Sequence, residues 1–443
     1  MTTPATRRGF VLDCWVRRID GGRVLVGGAP ARFVRLTEAG SAVLDAVLAG
    51  DPPGGAAAAG LVRRLVGRGL LHPTGAPPPG RRATVAAVVP VRNGARYVAD
   101  AVAALRSGCD EVVVVDDGST DGSAEVAAEA GARVLRNDRT PGPAGARNAG
   151  LADVSTELVA LVDADCVVDS DWLDPLLALF DDDPSLAVAA PRVVSAPGGS
   201  HLAEYERACS PLDLGPHPAT VGRGRRLSYV PSAALLVRTS ALLDAGGFAE
   251  ELQVGEDVDL VWRLIDSGWK VRYAPESRVA HQPRSTVLGF AAQRVRYGAS
   301  AVVLEERHPG ALAPLRISAR AAAVRAFAGP ANASSEARRE LGALALRGHA
   351  RATRHLARVA VREWLPLTAV AATSRRGRRL AALALALDIL ASREAVHSPP
   401  LPLHAAFRVV DNASYSAGLW RAALTRRSAG ALLPRLLDRR RDG

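Results

Sequence analysis

Lysine is all but missing. One residue, Lys270, is lysine, and arginine supplies the rest of the 56 basic positions in a chain of 443. Alanine is plentiful, so the bias reads in part as the product of a GC-rich coding sequence. Aromatic residues make up 4% of the chain, which leaves Val, Leu and Ala to build any core. The four cysteines, Cys14, Cys109, Cys166 and Cys209, are far apart and form no C-x-x-C pair. That spacing argues against a zinc ribbon and against a disulfide framework. Arg7 and Arg8 have no apolar stretch behind them, so no signal peptide is read. No run of 18 uncharged apolar residues exists. The nearest, Leu380 to Leu390, is too short to span a bilayer and contains Asp388. Neither G-x-x-x-x-G-K-[ST] nor a G-x-G-x-x-G after a strand is present, which removes the P-loop and dinucleotide-fold readings. A soluble cytoplasmic protein is the simplest expectation.

What is present is an ordinary globular composition, 48% hydrophobic and 23% charged, with length for two or three domains. The net charge of +11 is uneven. From residue 300 onward there are 24 arginines against 10 acidic residues, while residues 1–299 are slightly acidic. A basic tail of this kind can face nucleic acid, a phosphorylated substrate or anionic lipid. Peripheral contact with the inner face of the cell membrane is therefore one expectation for it.

Residues 9–73 read as a small module. "GFVLDCWVRRI" and "GRVLVGG" read as two strands around an Asp20-Gly21-Gly22 turn, and two helices follow, the first capped by Thr37 and stopped at Gly50. The arrangement is winged-helix-like, and residues 1–75 are taken as this module. Pro/Gly-rich residues 76–82 read as a linker. Beyond them, "ATVAAVVPV", "EVVVVDD" and "ELVALVD" are apolar strands alternating with helical stretches. Strands apolar on both faces, separated by helices, predict an α/β fold with a mostly parallel sheet flanked by helices. Ligands in such sheets bind at the carboxyl ends of the strands. Polar residues gather there, at Pro90 to Asn93, Asp116 to Asp121 and Asp163 to Asp165. Residues 301–443 read as a basic, mostly helical C-terminal region.

Asp163 and Asp165 end an apolar strand one residue apart, so period 2 places both carboxylates on one side. A divalent cation offsets that charge, and Mg²⁺ or Mn²⁺ accepts hard oxygen ligands with substrate phosphates completing the shell. A solvated strand end is the plainer alternative. An EF-hand would need oxygen, Gly and Glu where Val167, Val168 and Asp174 stand. Asp116 and Asp117 end another strand, where either could accept from a ribose hydroxyl or a uracil N–H. Arg147 and Asn148 follow a Gly/Pro loop at a helix start, a place that favours anions. Glu256 and Asp257 open a further helix, and Asp257 could deprotonate an acceptor hydroxyl. "KVRYAP" reads as a short strand, and the His281 that follows is a ligand or a satisfied surface or core residue. Gln293, Arg294, Arg296 and Tyr297 share a helix, on which Arg294 and Arg296 face different ways.

"VVPVRN", "VVVVDDGSTDGS", "GARNAGL", "VDADC", "GGFAEEL" with "GEDVDLVWRL", and "QRVRYG" occur in the order that resembles the family-2 glycosyltransferases, over roughly residues 83–300. The resemblance implies the GT-A fold and transfer from a UDP-sugar. It implies that Pro90, Asp116, Asp117, Arg147, Asn148, Asp163, Gln293 and Arg296 contact the nucleotide sugar. It implies that Asp163, Asp165 and His281 serve the metal, Mg²⁺ or Mn²⁺. Glu256-Asp257 match the family's E-D pair, whose Asp is the base of an inverting displacement. Tyr297 stands where the Q-x-x-R-W motif has Trp, so a processive synthase is not inferred. The wider layout, including "DNASYSAGLW" in the tail, resembles the glycosyltransferases of the actinobacterial mycofactocin system. That implies β-linked glucose transfer from UDP-glucose to a peptide-derived redox cofactor, with the first module binding peptide. A polyprenyl-phosphate or cell-envelope polysaccharide transferase is the alternative. A DNA-binding regulator is disfavoured, because residues 9–73 hold an ordinary share of Arg and no evident recognition helix, so no nucleic-acid partner is expected.

Overall fold

The computed structural model describes residues 9–75, 83–284, 286–312, 316–318, 335–393 and 398–437. The expected linker, residues 76–82, lies outside them. The chain divides into two compact units, residues 1–196 with 211–282, and residues 197–210 with 283–443.

The first unit opens with β1 (Gly9–Leu12), β2 (Arg17–Ile19), β3 (Val24–Gly27), β4 (Arg32–Arg35), α1 (Glu38–Leu48), α2 (Gly55–Gly67) and β5 (Leu71–Thr74). β2, β3 and β4 form an antiparallel sheet, and β1 pairs with β5. The single strand expected over "GFVLDCWVRRI" is broken, because the Asp13 carboxylate accepts from the Trp15 amide at 2.9 Å and turns the chain. Thr37 caps α1, its hydroxyl accepting from the Gly40 amide at 3.1 Å. Val16, Leu25, Leu44, Val47, Val62 and Leu65 are among the apolar side chains packed in its core.

The chain continues through β6 (Val85–Val91), α3 (Ala95–Arg106), β7 (Glu111–Asp116), α4 (Ser123–Glu129), β8 (Arg133–Arg136), α5 (Pro143–Asp153), β9 (Leu158–Val162), β10 (Cys166–Val168), α6 (Leu173–Asp182) and β11 (Leu186–Ser195). After α7 (His201–Cys209), part of the second unit, come β12 (Ala219–Val221), β13 (Ala234–Arg238), α8 (Thr239–Asp244), α9 (Glu256–Asp266) and β14 (Lys270–His281). The nine strands from β6 to β14 make one sheet in the order β10-β14-β11-β13-β9-β6-β7-β8, with β12 added on β14. The half built from β9, β6, β7 and β8 is parallel, as expected, and β13 joins it antiparallel. Both faces of β6, β7 and β9 are buried, which is why these strands read as unbroken apolar runs. α5 lies unusually close to the sheet. A Cβ on Gly150 would stand 2.4 Å from the Val88 side chain, so only glycine permits that approach.

The second unit comprises α7, α10 (Val287–Arg307), β15 (Arg316–Ser318), α11 (Ser335–Val361), α12 (Leu365–Ala371), α13 (Arg375–Ser392), α14 (Leu401–Arg426) and β16 (Arg435–Leu437). α10 and α14 cross tightly, Gly298 against the Tyr415 carbonyl and Gly418 against the Val295 carbonyl. Among the described residues no helix is long and apolar enough to cross a membrane.

Candidate active site

The strand order brings the carboxyl ends of β6, β7 and β9 side by side. Val91 pairs with Asp116 across β6 and β7, and the Asp117 amide donates to the Val91 carbonyl at 2.9 Å. Pro90 is half-buried one residue earlier in β6. Asp116 accepts from the Ser119 amide at 3.1 Å, an ordinary turn contact. Asp117 is buried deeper. It accepts from the Asn137 side chain at 2.6 Å and the Gly142 amide at 2.9 Å, so it anchors the loop that leads into α5.

α5 then presents Arg147 and Asn148, both buried. Arg147 donates through Nη1 to Glu256 at 2.8 Å and through Nη2 to Asp163 at 2.6 Å. Burial alone would push this guanidinium down; the two carboxylates outweigh it and hold it well above the ordinary arginine value. Asn148 donates to the Phe248 carbonyl and to Glu250, each at 2.9 Å, and accepts from the Phe248 amide at 2.8 Å. Glu250 also receives the Arg139 guanidinium at 3.1 Å and the Thr140 amide at 3.3 Å. Asn148 first, then Thr140 and Arg139, hold its carboxyl below the usual range. Glu250 thus ties the loop after β8 to the loop before α9. Sequence reasoning passed it over, although its place in "GGFAEEL" was the available signal.

Asp163 and Asp257 are fastened to neighbouring residues of one loop. The Asp163 amide donates to the Ala233 carbonyl at 2.9 Å, and the Ser232 amide donates to Asp257 at 3.1 Å. Asp257 also accepts from the Val258 amide at 2.7 Å. Gly255, with φ 89°, gives the left-handed residue from which α9 starts and so sets Glu256 and Asp257 at its first turn. Glu256 is pushed up to about 7, first by burial and then by the Asp257 charge, against the pull of Arg147. Burial raises Asp257 as well, while the Ser232 and Val258 amides pull the other way. Two neighbouring acids with raised affinity for a proton suit proton transfer near neutral pH.

β14 is longer than the short strand expected over "KVRYAP". It runs to His281, which pairs with Cys166 across β10. That register sets the His281 Nε2 3.5 Å from Asp165 Oδ2. Among the described residues no three His, Cys, Asp or Glu side chains stand together as a ready-made metal cage. Asp165 and His281 could together offer an oxygen and a nitrogen to a divalent cation such as Mg²⁺ or Mn²⁺, which would need further oxygens from a phosphorylated substrate. Asp163 has one oxygen engaged by Arg147. In the second unit, Gln293 is buried and Arg296 exposed on α10. Arg294, whose guanidinium is buried, pairs with Asp411 at 3.2 Å, a tie inside that unit.

Residues 86–239 match the family model described as glycosyl transferase family 2. A pre-mycofactocin glycosyltransferase of Mycobacterium tuberculosis is 36% identical over 475 residues of alignment, which span 98% of this chain and 100% of that protein. Glycosyltransferase AglE of Haloferax volcanii is 25% identical over 210 residues, 45% of this chain and 67% of its own. A mannosyltransferase from Pyrobaculum calidifontis, solved with GDP-mannose and Mn²⁺, superposes over 78% of this chain and 90% of its own at TM-score 0.45 and 18% identity. That likeness is too loose to carry a substrate or a metal across.

Proposed function

This chain belongs to glycosyltransferase family 2, and from that premise we propose that it transfers glucose from UDP-glucose, with inversion, to the peptide-derived redox cofactor mycofactocin or its precursor. The observation that carries the reading is the common frame of three acids. Consecutive residues Ser232 and Ala233 hold Asp257 and Asp163, and Arg147 joins Asp163 to Glu256. In this reading one loop positions both Asp163, two residues from the metal ligand Asp165, and Asp257, the base.

In this reading Asp116 and Asp117 receive the uridine at the ends of β6 and β7. Asp165 and His281 would hold Mg²⁺ or Mn²⁺, whose chemistry there would be Lewis-acid stabilisation of a leaving diphosphate. Asp257 takes the acceptor hydroxyl proton as that oxygen attacks the anomeric carbon opposite the diphosphate. One base and in-line attack give inversion. Glu256, held by Arg147, fixes the first turn of α9, and the Asp257 charge beside it adds to the rise in its own proton affinity. Residues 83–300 perform transfer and residues 1–75 bind the peptide part of the acceptor. The edge strand β4, with Phe33 exposed, supports that role, since an extended peptide can add to a free strand edge.

A panel of nucleotide sugars, each with Mg²⁺ or Mn²⁺ and with the peptide-derived acceptor, tests the proposal. UDP-glucose should give the fastest UDP release and an acceptor heavier by one hexose, with β configuration by NMR. Turnover with polyprenyl phosphate instead would establish the alternative acceptor, and no turnover with any sugar would overturn the reading.

A further inference from the structure

α13 is inside out. Its sequence, "RRGRRLAALALALDIL", is mostly apolar, yet its buried residue is its one acid. Asp388 is 3% exposed and accepts two bonds from Arg408 at 2.7 Å and one from Asn412 at 2.8 Å. Three of its five leucines face outward. Leu380, Leu383 and Leu390 lie at helical spacing, and with Leu367 and Val370 of α12 each is between 55% and 70% exposed. α12 buries none of its residues.

The two helices meet at a fixed corner. A Cβ on Gly377 would fall 1.8 Å from the Ala371 carbonyl, so the first turn of α13 sits directly on the end of α12. Ser374 caps α13, accepting from the Gly377 amide at 3.0 Å. Arg378 donates to the Thr373 carbonyl at 3.0 Å and fastens the same turn. Arg375, Arg376 and Arg379 are exposed beside the leucines, and none pairs with a carboxylate among the described residues. Four arginines at a helix start also oppose the helix dipole, a placement that an external anion relieves.

We propose that the corner of α12 and α13 docks on an anionic lipid surface, leucines in the acyl boundary and arginines at the headgroup phosphates. Exposed apolar side chains flanked by cations are the pattern of helices that lie in the membrane interface. A second copy of this chain is the weaker occupant, because residues 300–443 carry 24 arginines against 10 acids and would repel themselves. The inference does not depend on the sugar-transfer reading, since it concerns binding without substrate.

The full chain is floated with phosphatidylcholine vesicles, with and without phosphatidylglycerol, and no sugar donor. Wild type should float with the anionic vesicles and should be released by salt. Arg375→Glu, Arg376→Glu and Arg379→Glu together should weaken binding by about a hundredfold or more, from the roughly fivefold effect of each cation near such a surface. Leu380→Ser, Leu383→Ser and Leu390→Ser together should also abolish flotation and leave thermal unfolding unchanged. Failure of wild type to bind, or equal binding to both vesicle types, would overturn the proposal. So would a lowered unfolding temperature in the leucine variant, which would mean that the chain itself covers this face. A concentration-dependent dimer that the leucine variant dissociates would assign the face to a second copy instead.

Discussion

Replacing Arg147 with methionine removes the charge that joins α5, β9 and α9 while keeping most of the side-chain volume. The guanidinium is 2% exposed and donates to Asp163 and Glu256. Removing one member of a buried ion pair typically costs ~3–5 kcal/mol, because the partner charge stays behind without compensation. Asp163 is about a third exposed, so water takes over much of its side; Glu256, 6% exposed, has no such relief. The lower end, about 3 kcal/mol, is expected at alkaline pH. The pH dependence follows from Glu256. Its folded-state pKa, about 7, lies above the ordinary glutamate value of 4.5, so the folded state binds its proton more tightly than the unfolded chain does. Stability from that proton is complete below about 4.5 and is lost as pH rises through about 7. Without Arg147 the proton is held still more tightly. Near pH 5 Glu256 is neutral in both proteins, and the variant should lose the hydrogen bonds and the partly solvated pairing with Asp163, about 1–2 kcal/mol. Near pH 8.5 the full loss should appear.

Hydrogen exchange read at the α5 and β9 amides measures this locally, which matters because a chain of two units need not unfold in one step. Adding Glu256→Gln to Arg147→Met should recover part of the alkaline loss, since the stranded charge is gone. Equal losses at pH 5 and pH 8.5, with no recovery in the double variant, would refute the argument that Glu256 is the group left unpaired.

Asp257→Asn should reduce turnover by roughly 10²–10⁴ while binding of UDP-glucose persists; in wild type the acid limb of kcat/KM should lie above the ordinary aspartate range, because burial raises this carboxyl, and a limb within that range would exclude it as the base. Asp165→Asn should remain folded by hydrogen exchange and lose most metal-supported UDP release, and wild-type release with Mn²⁺ present would end its assignment to the metal. Gly150→Ala should destabilise α5 against β6 by about 1–3 kcal/mol through the clash with Val88, lowering the unfolding temperature; an unchanged temperature would mean that the helix can shift away.

The strand ends were legible because hydrophobic burial sets them. "VVVVD" and "LVALVD" change from apolar to acidic in one step, and that step is where β7 and β9 leave the core. The reach of β14 was not legible. Arg272, Glu276 and Arg278 interrupt its apolar pattern, and Pro275 suggests a stop. The strand nevertheless continues to His281, because β10 and β11 pair with its far end. His281 therefore owes its place beside Asp165 to a register that only the folded sheet shows.

Arg147 and α13 were obscured for a common reason. Periodicity reports which residues leave water; it does not report which charges meet. The loop pattern before α5 suggested that Arg147 faces phosphate, yet it spans to carboxylates 16 and 109 residues away. Burial of apolar side chains alone would turn the leucines of α13 inward and leave Asp388 outside. The fold reverses this, since a buried carboxylate is tolerated once Arg408 and Asn412 satisfy it, while exposed leucines incur a modest cost each. An arrangement that keeps an ion pair inside and leaves leucines in water stays worthwhile only if something apolar covers them, and that is the reason to look for the surface on which α13 rests.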